Sequence, residues 1–205
     1  MDLVFYIKQV LLFVCLLSVS RYGDKILSLE ALHENISLRC IVDNVIHICL
    51  GIISWLIVSS YETFSVAHVL QSLLCGLIAG SIDLDHFLMA KSLKFKDAIN
   101  LSSRPPFHNT TLMAMLAILL ISLMHFKGNE LCEYIGWYIL VATISHHLRD
   151  ALRRGLWIWP WTTKPLHFIS YLILSYLFPL AVGFMLRINK RIIFVKVKTF
   201  DVIQV

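Results

Sequence analysis

The chain has 205 residues, 58% hydrophobic and only 15% charged, with a mean hydropathy of +0.76. A soluble domain carries about 25% charged residues, and disorder needs low hydrophobicity with high charge. Both classes are excluded, which leaves a polytopic membrane protein. The net charge of +5 and pI of about 9.0 would suit nucleic acid in a soluble protein. Here the basic residues sit in short loops between apolar runs, so membrane topology accounts for them and no nucleic-acid partner is expected.

A bilayer core takes about 20 mostly apolar residues per helix. The apolar runs predict spans over 4–20, 41–60, 67–84, 111–126, 134–148 and 167–187. The expected fold is an all-α membrane helix bundle of five to six spans, a single integral domain over 1–205 with a basic tail at 188–205. The first run reads as an uncleaved helix, because it lacks an A-x-A site and its n-region carries Asp2 and a late Lys8; a signal peptide is the alternative.

With alternating spans, loops 21–40, 85–110 and 149–166 share one face and hold eleven Lys/Arg, against Lys127 alone in the opposite loops. The positive-inside rule makes the basic face cytosolic. The tail, with five more, would fall on the other side unless 167–187 is re-entrant around Pro179. Asn35, Asn100 and Asn109 stand in N-x-[ST] triplets on the basic face, where glycosylation would require a lumenal location. The five cysteines form no C-x-x-C pair and read as small apolar residues.

Ionisable residues beside membrane spans are costly, so each is a functional hypothesis. Asp43 and His47 are four apart at the start of the second span and would share a helix face. Asp83, Asp85 and His86 close the third, where a bound cation would compensate two carboxylates. Arg104-Pro105-Pro106-Phe107-His108-Asn109 precedes the fourth. Ser145-His146-His147-Leu148-Arg149-Asp150 closes the fifth, with His146 and Asp150 again four apart.

All four clusters fall at one membrane face. Any one such histidine is more often a hydrogen-bonded interface residue, and Asp83 and Asp85 alone could be a solvated helix end. The joint pattern points to a His/carboxylate site for zinc, manganese or another divalent ion. Such an ion lowers the pKa of a coordinated water toward neutrality, and the interfacial depth suits a lipid or lipid-linked substrate. Trp157, Trp159 and Trp161 read as an interfacial aromatic belt. His33, His68 and His125 have no acidic neighbour at metal spacing and read as loop or interface residues.

In order and spacing, residues 43–161 resemble the YdjM-like family of membrane-bound metal-dependent hydrolases, also described as LexA-binding inner-membrane proteins. His47 stands for the family's early His, and Asp83, Asp85 and His86 for its D-x-D-H run. His146 and Asp150 match S-H-x-x-x-D, followed by Gly155 and Trp159-Pro160. The H-R-x-x-T-H-S run keeps Arg104 and His108, but its first His is Ser103, its Thr is Phe107 and its final Ser is Asn109.

The resemblance implies a hydrolase, active or degenerate, with His47, Asp85, His86, His108 and His146 as metal ligands. Asp83 or Asp150 would serve as general base or ligand-orienting carboxylate, Arg104 would bind an anionic group, and His147 could compensate for Ser103 only through a local distortion. The competing expectation is a structural or partner-binding membrane protein whose polar clusters hold helix ends together. A transporter ranks below both, since the ionisable groups gather at one interface without a mid-span chain.

Overall fold

The computed structural model describes residues 3–203, with the side chains of His33 and of residues 190–203 outside that description. The chain is almost wholly helical. In order it forms α1 (Leu3–Leu27), short α2 (Glu30–Glu34), α3 (Ile36–Ser59), α4 (Val66–Ser81), short α5 (Leu84–Ala90) and α6 (Phe95–Ile99), a 3-10 turn at Pro106–His108, α7 (Thr110–Phe126), α8 (Glu130–Arg154) and α9 (Phe168–Ile203). The segment between α8 and α9 forms a hairpin of β1 (Trp157–Ile158) and β2 (Trp161–Thr162) where only an aromatic belt was expected; Ile158 pairs with Trp161. Trp159 and Trp161 remain largely exposed, as an interfacial role requires.

Helix starts are set by side-chain caps. Asn35 accepts from the Leu38 amide, Asn109 from Leu112 and Asn129 from Cys132. Each satisfies one of the donors that a helix start leaves unpaired. Two of the three N-x-[ST] asparagines are therefore caps, and Asn109 is buried as well.

Four segments are long and apolar enough to cross a membrane: Leu3–Leu27, Ile36–Ser59, Val66–Ala90 and Phe168–Asn189. α7 is apolar but shorter, at 17 residues. α8 has the length of a span but ends in charge. It is the central helix, packed against α3, α4, α7 and α9, with most of its residues buried. The apolar helices turn Val10, Leu70, Leu116 and Leu177 outward. This arrangement is an integral multi-pass membrane bundle. Pro179 lies inside α9 without breaking it, so the re-entrant alternative is not what the chain adopts.

α3 and α4 meet along a seam of small residues. A Cβ on Gly51 would lie 2.8 Å from Ala79 Cβ and 2.9 Å from Gly76 Cα, so the two backbones touch where only glycine fits. Asn44 adds a hydrogen bond to the Gly80 carbonyl, 2.8 Å. The seam holds the end of α4 against α3 and under α8.

Candidate metal centre

The seam decides the state of His146. Its Nδ1 lies 2.9 Å from the Ala79 carbonyl, which has no proton and must accept one. Nε2 is then the lone-pair nitrogen, and it faces inward from a fully buried ring. His47 stacks on this ring with centroids 3.9 Å apart. Both rings aim Nε2 at Asp150, at 3.5 Å from His47 and 3.7 Å from His146.

α3 begins at Ile36, earlier than its apolar run, so His47 sits about 16 Å along the helix at about 1.5 Å per residue. His47 therefore stands about three turns into α3 and not at its start. The cluster's carboxylates come from the chain break after α4: α4 stops at Ser81, and Asp83 makes no cap hydrogen bond at the start of α5 but turns into the cluster.

The prolines of the 105–106 pair set the 3-10 turn that presents His108. His108 Nε2 lies 3.4 Å from His146 Nε2, 3.3 Å from Asp83 Oδ1 and 3.5 Å from Asp150 Oδ2. Asp83 Oδ1 is also 3.6 Å from His146 Nε2. Donors bound to one ion at about 2.1 Å in tetrahedral geometry lie about 3.4 Å apart, and these separations cluster around that edge. On the other side of the His108 ring, Nδ1 is 3.4 Å from Asp85, and Asp85 Oδ1 is 3.2 Å from His86 Nδ1. Three groups thus offer converging ligand atoms: His47, His146 and Asp150; Asp83, His108 and His146; Asp85, His86 and His108.

Burial would hold the His108 pKa down, but hydrogen bonds to Asp150, Asp83 and Asp85 outweigh it and push the pKa up to about 11. Asp150 and Asp83 keep 22% and 29% side-chain exposure, so the cluster opens along its carboxylates. A cavity of about 20 Å³, lined by Arg104, His108, Asp150, Arg154 and Trp157, adjoins it; this is room for one ordered water.

The candidate residues His47, Asp83, Asp85, His86, His108, His146 and Asp150 are brought together. Four others do different work. His147 donates from Nε2 to the Phe107 carbonyl, 2.8 Å, so it supports the turn that carries His108 and joins none of the three ligand groups. Ser103 is exposed. Arg104 hydrogen-bonds the Gly155 carbonyl at 3.2 Å, and that of Arg154, closing the end of α8. Asp43 pairs with Arg153 at 2.8 Å, and the same guanidinium reaches Asp150 at 3.0 Å.

His68 and His125 each pair with a single carboxylate, Glu62 and Glu133, both at 3.1 Å, and join none of the three ligand groups. Of His33 the side chain lies outside the described residues. Arg153 was missed as a carboxylate anchor; its i,i+3 spacing to Asp150 was the available signal. The Arg149–Asp24 pair, 2.6 Å, was missed too, and nothing local points to a partner in α1.

The chain is similar to the Transmembrane protein 267 of Danio rerio, 36% identical over 160 residues, 77% of this chain and 71% of the relative. It is 34% identical to the Mus musculus protein of that name over 169 residues, 82% and 78% of the two chains. With the Bos taurus protein the figures are 33% over 166 residues, 80% and 76%. No family model matches the chain, and no solved structure matches it.

Proposed function

The chain belongs to the Transmembrane protein 267 family, whose members are transmembrane proteins by name, and its own fold is multi-pass; we propose that its buried His/Asp cluster is a divalent-metal centre for hydrolysis of a lipid or lipid-linked substrate at the basic face of the bundle. The observation that carries this reading is the set of N and O separations of 3.3–3.7 Å among His47, Asp83, His108, His146 and Asp150. These are metal-shell spacings, and zinc or manganese suits the donors. The YdjM-like resemblance points the same way.

His146 belongs to two of the three groups of converging donors, with His47 and Asp150 in one and Asp83 and His108 in the other. The Ala79 carbonyl fixes the His146 tautomer, and Arg153 fixes the Asp150 rotamer. The chemistry that an ion would supply there is Lewis-acid activation of water and of the scissile group. Asp83, the more open carboxylate, takes the proton as general base. Arg104 and Arg154 flank the adjoining cavity and favour an anionic head group there.

The test is the metal content of the purified, detergent-solubilised chain by mass spectrometry, beside His146→Ala. Asp150→Asn, which still accepts from Arg153, guards against a merely unfolded variant. Near-stoichiometric zinc or manganese in the parent, lost in both variants, is expected, and an ester and phosphoester lipid screen would then follow. A parent that holds no metal even after reconstitution sinks the reading. It would leave a polar network that ties helices together, which Arg153 favours by bridging Asp43 and Asp150.

A further inference from the structure

The seven candidate ligands are more than one ion needs. A tetrahedral shell takes four donors, and a catalytic one leaves a position open. His47, His146 and Asp150 form one triad of converging atoms, and Asp85, His86 and His108 form another that shares no residue with it. Asp85 is the telling member. It is 2% exposed, and its Oδ2 accepts the Phe107 amide at 2.8 Å. Its Oδ1 has no hydrogen-bond partner among the described residues, and neither does His86 Nδ1, which faces it at 3.2 Å. Two buried polar atoms left this way at close range are costly unless something sits between them. His108 Nδ1 completes that opening, 3.4 Å from Asp85 Oδ1.

We propose that the chain holds two divalent cations, the second on Asp85 Oδ1, His86 Nδ1 and His108 Nδ1. This rests on the metal-centre reading above. In this arrangement His47, His146 and Asp150 hold the first ion. The second takes His108 through Nδ1, so His108 Nε2 keeps its proton and donates it to Asp83 or Asp150, 3.3 Å and 3.5 Å away. No nitrogen is asked to serve two ions. Asp83 Oδ1 lies 3.6 Å from His146 Nε2 and 3.8 Å from His86 Nδ1, next to a ligand of each ion. It stands as the open carboxylate between the two triads, where the general base of the reading above is needed.

The experiment loads the full chain in detergent with Mn2+ alone, removes excess, and reads both stoichiometry and the electron paramagnetic resonance spectrum. The expected result is two manganese per chain with an exchange-coupled signal. His86→Gln should then hold one manganese with the six-line signal of an isolated ion. The parent spectrum needs no variant, so poor folding of His86→Gln leaves the test intact. One manganese in the parent, uncoupled, overturns the second site and leaves the first standing. No manganese in the parent overturns both.

Discussion

His146 is useful as a ligand because of what happens on its far side. One hydrogen bond to a backbone carbonyl removes the tautomer choice and leaves the inward nitrogen with its lone pair. Its neighbour His147 has the same side chain and the opposite assignment, since an adjacent helical position points about 100° away. The i,i+4 pairing of His146 with Asp150 was legible in the sequence, and so was His108 from its prolines. Ala79 was not, because a carbonyl carries no residue signature. The Asp43–Arg153 contact joins residues 110 apart and was equally hidden.

His108 allows a pH test. In the metal-free protein its pKa of about 11 keeps it protonated at neutral pH. An incoming ion must displace a proton, so apparent affinity rises as pH rises, by about tenfold per unit for each proton released. A chelator-competition titration between about pH 6 and pH 8 should show this slope, and His108→Gln should flatten it. A flat profile in the parent would remove His108 from the ligand set.

At the scale of elements, the seam between α3 and α4 is the part of the fold that the site depends on. Hydropathy windows found both helices but not their lengths. They measure compatibility with lipid, whereas α3 extends to Ile36 through a capped, polar start and α8 to Arg154 through a charged end whose last two arginines are exposed. Windows are also silent on close approach, which needs a partner.

Gly76→Leu tests the seam. A Cβ there lies 2.6 Å from Ile52 Cγ1 and 2.7 Å from the Ile48 carbonyl, which a backbone cannot easily yield. Overpacking of this kind costs about 1–3 kcal/mol, and the Ala79 carbonyl would shift from His146. A lower melting temperature and weaker metal retention are expected together. Leu77→Ala, on the exposed side of α4, should change neither. A Gly76→Leu chain with full metal content would show that the seam does not position the site.

Across the whole molecule the long helices alternate in direction. Gln9 meets Ser60 at one end, 2.5 Å, and Arg187 lies over the Tyr61 ring there, while Arg149 meets Asp24 near the cluster end. The loop-charge count took alternation as its premise, and the helix directions agree with it, because short loops leave the chain little choice. It did not anticipate the hairpin at 157–162 or the place of His47 along α3.

Alternation is checked with an impermeant maleimide on sealed vesicles whose non-cytosolic side faces out, in a background without the five native cysteines. Ser92→Cys and Lys164→Cys should behave alike and stay protected, as the charge bias predicts. Thr63→Cys and Lys127→Cys should both label. A split within either pair contradicts the arrangement.

The central position of α8 also constrains how the protein is made. α8 is not among the four segments long and apolar enough to cross a membrane, and it ends with Arg149, Asp150, Arg153 and Arg154, residue types that membrane insertion disfavours. As it leaves the ribosome this segment is a poor membrane client, and the partners that shelter it are α3, α4 and α7, already made, and α9, still to come. Its integration therefore waits on its neighbours. A chain truncated after Arg154 should leave a cysteine placed in α8 open to an impermeant maleimide, and one extended through Asn189 should protect it.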